Sequence, residues 1–125
     1  MPAELKDGVK AEEILSLHPF MYPIIGFFIG YCDAHKLPCV FTSITGHALG
    51  RISKTHSEGR GVDARSRGWS DFHKQRIVHL INKKFKGTAA RSKSDGKARA
   101  IILHSVKGGA EHFHMQCRPG KLQNI

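Results

Sequence analysis

Acidic residues are scarce in this chain. Ten Asp and Glu face twenty Lys and Arg across 125 residues, a formal net charge of +10. That balance argues against a cationic partner and for a polyanionic one: nucleic acid, an acidic membrane or an anionic cell-wall polymer. Cysteine is scarce as well. Cys32, Cys39 and Cys117 cannot all pair within one chain and include no C-x-x-C, so they read as reduced, buried thiols made in a reducing compartment. One Trp and two Tyr leave few rings on which bases could stack. The apolar stretch "FMYPIIGFFIGYC", residues 20–32, falls short of the ~20 residues of a membrane span and reads as a buried core helix. The opening "MPAELKDGVKAEE" lacks the charged, apolar and cleavage regions of a secretory signal. Synthesis in the cytoplasm is therefore expected, with release by another agency for any work outside. Without repeats or low-complexity tracts, residues 1–125 are expected to form one domain, monomeric by default, around a single core.

What is present reads as helices, then strands. "AEEILSLH", 11–18, suits a short helix stopped by Pro19. A second helix is expected to begin at Pro19 or Pro23, with Gly26 and Gly30 giving one face on which another element approaches closely. "CVFTSIT", 39–45, is β-branched and aromatic, a strand, and 46–69 reads as irregular. Ser70 is a good N-cap for a helix in which Val78, Ile81 and Phe85 keep helical spacing and Gly87 is the stop. A basic loop, 88–99, leads to the strand "AIILHSVK", 100–107, a turn at Gly108-Gly109, and a last strand "EHFHMQC", 111–117. The expected fold class is α+β: a small antiparallel sheet with helices packed on one side.

The last strand carries the most chemistry. A period of two puts His112, His114 and Gln116 on one face and Phe113, Met115 and Cys117 on the core face. Upstream, "THSEGRGVD", 55–63, sets His56 and Asp63 around Gly59 and Gly61, whose freedom would let the loop fold back. Taken singly, such a His is usually solvated and such an Asp usually serves a turn. Taken together, His56, Asp63 and His114 are a zinc-type donor set: three ligands of imidazole and carboxylate, with a fourth position for water. Glu111, three residues before His114, is the candidate general base. Strict alternation would turn it away, unless the pleat is not yet established next to the turn. His112 is the alternative base or oxyanion stabiliser.

These residues resemble a known family. "HSEGRGVD" fits H-x-x-G-x-[AG]-x-D and "EHFH" fits E-x-x-H, the ordered pair of motifs of the zinc D-alanyl-D-alanine carboxypeptidase and L-alanyl-D-glutamate endopeptidase family. That family includes many phage endolysins and shares its fold with the hedgehog signalling domain. The resemblance spans roughly residues 20 to 117. It implies Zn2+ held by His56, Asp63 and His114, Glu111 as general base, and a peptidoglycan stem peptide as substrate. The chain departs from the pattern at Lys54, where members commonly carry serine two residues before the first histidine. Its first arginine after the "TS" strand is delayed to Arg51, so the substrate-binding role falls to Arg51 or Arg60.

The activity so implied is zinc-assisted amide hydrolysis on the bacterial cell wall. The enzyme would be made without a signal peptide and released as a phage lysin is. A basic nucleic-acid-binding protein or metal-dependent nuclease is the competing class, although no helix-turn-helix, zinc-finger or aromatic-interleaved motif supports it. A non-catalytic zinc-bound module, as the hedgehog relative illustrates, is the third. A nucleobase deaminase is excluded: "HSE" matches H-x-E, but the only Pro-Cys, Pro38-Cys39, lies upstream and lacks its partner.

Overall fold

Local chemistry sets the boundaries of the first elements. A computed structural model of the chain describes residues 3–45, 58–91, 96–105 and 109–120. A two-residue strand β1, Glu4–Leu5, precedes a 3-10 helix at Ala11–Ser16, where a helix was expected. Helix α1, Met21–His35, follows the proline. It ends because Lys36 takes the left-handed conformation (φ 55°) and the Leu37 N–H turns back onto the Cys32 carbonyl at 2.9 Å. Strand β2, Val40–Ser43, lies within the stretch expected to be extended.

Residues 46–69, expected to be irregular, contain a regular strand. This is β3, Gly61–Arg65. Helix α2, Asp71–Lys84, starts as its sequence requires: the Ser70 hydroxyl accepts the His73 N–H at 3.3 Å. Lys83 and Lys84 sit in its last turn, where the negative end of the helix dipole favours them. A 3-10 turn, Lys86–Thr88, follows in place of a simple glycine stop. Inside the expected basic loop, β4, Ala90–Arg91, pairs with β5, Ala98–Arg99. The terminal hairpin is β6, Ile101–Ser105, with β7, Glu111–Gln116.

The main sheet has the order β1-β2-β3-β7-β6. All its pairings are antiparallel except β1 with β2, so the sheet is mixed where a purely antiparallel one was expected. The parallel pair is possible because the first 3-10 helix and α1 make the crossover between its strands. The class α+β stands, with both helices on one face of the sheet.

That face is the core. Met21, Ile24 and Phe28 of α1 and Ile77 and Ile81 of α2 meet Val62, Ala64, Ile101, Phe113 and Met115 of the sheet, all at most 1% exposed. Trp69 closes one end of this core. Its ring lies 5.5 Å from Phe28 and 4.8 Å from Phe113, and its indole N–H donates to the Pro38 carbonyl at 2.9 Å. Asn82 pins α2 to β6. Its side-chain oxygen accepts the N–H groups of Ala100 and Ile101 at 2.7 and 3.0 Å, and its amide donates to the Ile101 carbonyl at 3.0 Å.

Gly26 and Gly30 do not mediate close packing. Both are exposed, and a Cβ built on either would meet nothing within 4 Å. The buried stripe of α1 runs through Met21, Ile24, Ile25, Phe28, Tyr31 and Cys32, which leaves the glycines on the outer side. The three cysteines are free and buried, as the composition suggested. Among the described residues, no helix is long and apolar enough to cross a membrane.

Candidate metal centre

The two sides of strand β3 have different surroundings. Val62 and Ala64 point into the core, so Asp63 and Arg65 must point to the other face. Pairing with β7 sets Asp63 against His114 and Arg65 against His112. Pairing of β7 with β6 adds His104 beside His112 and Ile102 beside His114. The side of the sheet opposite α1 and α2 therefore carries two cross-strand rows: Arg65, His112 and His104, then Asp63, His114 and Ile102.

Asp63 and His114 meet. Asp63 Oδ1 lies 2.8 Å from His114 Nδ1, although the residues are 51 positions apart in sequence. Asp63 is only 7% exposed, so its carboxylate depends on partners for the solvation it has lost. The other imidazole nitrogen, His114 Nε2, lies 3.2 Å from Gln116 Oε1. Gln116 is oriented by donating its amide to the Arg99 carbonyl at 3.0 Å, which turns its oxygen toward the histidine. His114 thus has an oxygen acceptor at each ring nitrogen. A neutral imidazole carries one N–H and can donate to only one of them, which leaves the other ring nitrogen a lone pair of the kind a metal ion takes.

His112 stands beside this pair. Its Nε2 is 4.0 Å from Asp63 Oδ1, and its Nδ1 is 3.1 Å from the Ala110 carbonyl. The His104 ring lies 4.7 Å from that of His112 and 6.4 Å from that of His114. Loss of solvent, then the neighbouring imidazoles of His112 and His114, hold the pKa of His104 below the usual histidine value; the Asp63 carboxylate opposes them. His104 favours the neutral form.

Glu111 is elsewhere. Its carboxylate lies 2.7 Å from Lys74 Nζ of α2, and the Ser66 hydroxyl is 2.9 Å from both its Oε1 and its backbone carbonyl. It therefore sits on the helix side of the sheet, with Phe113, and not beside His114. The pleat is already established at Glu111, which pairs in register with Ser105 at the very start of β7. The expectation that alternation is suspended there is corrected. Lys74, and then Ser66, hold the Glu111 carboxyl below the usual carboxylate range.

Arg60 is likewise engaged. Its Nη1 donates to the Cys117 carbonyl at 2.9 Å, its Nε lies 3.3 Å from Glu58, and its side chain is only 12% exposed. With the Cys117 N–H on the Arg60 carbonyl at 3.0 Å, it clamps the entry to β3 onto the end of β7, away from the rows of the site. His56 and Arg51, the other expected ligand and substrate contact, lie outside the described residues, as does Lys54.

Of the two glycines in the motif, Gly59 has a visible task. It adopts φ +72°, and a Cβ there would lie 2.5 Å from the Ser16 carbonyl oxygen. Its own carbonyl accepts the His18 N–H at 2.9 Å. The motif is thus pressed against the chain ahead of α1. Gly61 is the first residue of β3, opposite Gln116.

Among the described residues, no cation-sized cluster of three or more His, Cys, Asp and Glu occurs. The carboxylate oxygen and imidazole nitrogen of Asp63 and His114 are donors that suit zinc, and the third expected donor is His56. Gln116 lies on this face as the alternation of the last strand predicts, while Arg65 and His104 were missed as its members. Alternation in "GVDAR" and "AIILHS" carried the signal for these two, once both segments are taken as neighbours of β7. Compared with protein-family models, curated proteins and solved structures, the chain shows no significant match.

Proposed function

We propose that the chain is a zinc-dependent peptidase that hydrolyses an amide bond in the peptidoglycan stem peptide. The observation that carries the reading is the contact of buried Asp63 with half-buried His114, 2.8 Å apart on neighbouring strands, with an imidazole that faces an oxygen on both sides. The order of the two motifs, and the excess of positive charge suited to an anionic wall, support it further.

Asp63 and His114, joined by His56, would hold the ion, and Gln116 orients His114 as a supporting partner does at a metal site. Zinc in such a site supplies Lewis acidity, polarising a carbonyl and making water a usable nucleophile near neutral pH. His112 is the residue placed to move the proton. It stands on the face opposite the helices, 4.0 Å from Asp63, where it can take a proton from water and return it to the leaving amine. Glu111 supports it from behind: the Lys74 and Ser66 contacts fix the start of β7, and with it the adjacent His112.

The test is the metal content of wild type against His114→Ala, measured beside amine release from muropeptides. One zinc per chain in wild type, lost together with amine release in the variant, is the expected result. Absence of both zinc uptake and amine release in wild type would end the reading.

One observation favours a second reading. Because Glu111 is tied to Lys74 and Ser66, the face lacks, among the described residues, the carboxylate base that the motif implies, as a zinc-bound binding module would. His112→Gln separates the two. A peptidase would keep its zinc and lose turnover by roughly 10²- to 10⁴-fold, while a module would show no turnover to lose.

A further inference from the structure

Two of the three thiols face each other. Cys32 ends the buried stripe of α1, and Cys39 stands immediately before β2. The chain doubles back between them. Lys36 takes its left-handed turn, the Leu37 N–H returns to the Cys32 carbonyl at 2.9 Å, and Cys32 Sγ comes to lie 3.9 Å from the Pro38 carbonyl oxygen, on the peptide unit that Cys39 completes. The two side chains share a hydrogen bond, with the Cys32 S–H as donor and the Cys39 sulfur as acceptor. Neither can drift from the other. The Pro38 carbonyl also accepts the Trp69 indole N–H at 2.9 Å, and the Cys39 carbonyl accepts the Glu4 N–H at 2.8 Å. Cys117 belongs to the other end of the sheet: Phe41 pairs with Ala64 near the end of β3, whereas Gln116 pairs with Gly61 at its start.

Two thiols held in contact react with one another far more readily than with anything in solution. The pair is also unequal. The shared hydrogen bond, and then burial, push the Cys32 thiol up, while the same bond holds Cys39 below the ordinary thiol range against the opposing effect of burial. Cys39 is therefore the nucleophile and Cys32 the thiol that resolves it. With exposures of 0% and 2%, the two admit only a small oxidant.

We infer that Cys32 and Cys39 form a redox site, which hydrogen peroxide converts to a disulfide that ties the end of α1 to the start of β2 within the native fold. The Cys39 thiolate attacks one peroxide oxygen, the O–O bond breaks, and hydroxide leaves to collect the proton that Cys39 had released. The Cys32 sulfur then displaces the hydroxyl of the Cys39 sulfenic acid, and the Cys32 proton leaves with it as water. In sum, two thiols are oxidised to one disulfide and one peroxide is reduced to two waters. The bond braces β2, whose Ser43 pairs with Asp63. It is independent of the zinc reading, since both sulfurs lie in the core.

Trypsin cuts after Lys36, so the two cysteines fall in separate peptides, 11–36 and 37–51. Reduced full chain, as wild type and Cys117→Ser, is treated with hydrogen peroxide, unfolded with an alkylating reagent present, digested and mapped by mass. Both proteins should lose two thiols and show the two peptides joined with the loss of two hydrogens, at a yield that does not depend on protein concentration and is reversed by dithiothreitol. The unfolding midpoint should rise by roughly 5–10 °C. In Cys32→Ser the reaction should stop at a sulfenic acid on Cys39, captured by dimedone; where that variant does not fold, the wild-type map decides alone. Three alkylated thiols after peroxide, a link to Cys117, a link between chains, or a midpoint that fails to rise overturns the inference.

Discussion

Asp63 occupies the middle of a strand whose neighbours Val62 and Ala64 are core residues, a position that an aspartate holds only with partners. On the proposed zinc reading, Asp63→Asn keeps the shape but not the charge, and zinc uptake would fall by at least tenfold, roughly the scale of ligand-shell substitutions, as read by competition with a chelator. Gly59 is as constrained in another way. Gly59→Ala combines φ +72° with a contact of 2.5 Å to a backbone oxygen that cannot swing aside. A loss of about 2 kcal/mol or more is expected from urea unfolding. Glu111 makes a pH statement. Its folded pKa is lowered, so its contribution to stability is complete above the ordinary carboxylate range and disappears as pH falls through the folded value. The stability gap between wild type and Glu111→Gln should therefore be open at neutral pH and close in acid; a gap that widens in acid would contradict the Lys74 pairing. Asp63 and His114 were legible because each sits in a spaced motif. Gln116 was legible from alternation within the last strand, but Arg65 and His104 were not, because their membership depends on which strands lie side by side, and no spacing within one strand encodes that.

Helix α1 carries two glycines that no contact requires. Each costs roughly 0.5–1 kcal/mol relative to alanine in a helix interior. Since a Cβ at Gly26 or Gly30 meets nothing within 4 Å, the double variant Gly26→Ala/Gly30→Ala should raise the unfolding midpoint. An unchanged or lower midpoint would point to a task for that outer face. Asn82→Ala should act in the opposite direction, by about 1–3 kcal/mol, because it strands the N–H groups of Ala100 and Ile101 where α2 covers them. Elements with strong local signals were readable: the Ser70 cap announces α2, and the β-branched run announces β6. Strand β3 was not. Five residues beginning with glycine and containing two charges have little strand propensity, and partners on both sides make the strand. The two-residue β1 has no local signature at all.

One side of the sheet is covered by α1 and α2, and the other presents the histidines and Asp63. A chain of formal charge +10 should adsorb to an anionic wall polymer at low salt and detach as salt shortens the range of attraction. The thiols add a check on the integrity of the core. All three are buried, and burial pushes Cys117 up to about 11, so native protein should resist a thiol reagent at neutral pH while unfolded protein reacts at all three.

The alternation of β7 has a consequence for how this chain can vary. Phe113 and Met115 fill the interior while His112 and His114 serve the exterior, so both depend on one parity. A single residue inserted between His112 and Phe113 would drive the His114 imidazole into the hydrocarbon and turn Phe113 and Met115 out to the other face, whereas the same insertion ahead of Glu111 lengthens a connection and leaves the ladder intact. Loss of the interior and loss of the histidine face would then occur together, as one event.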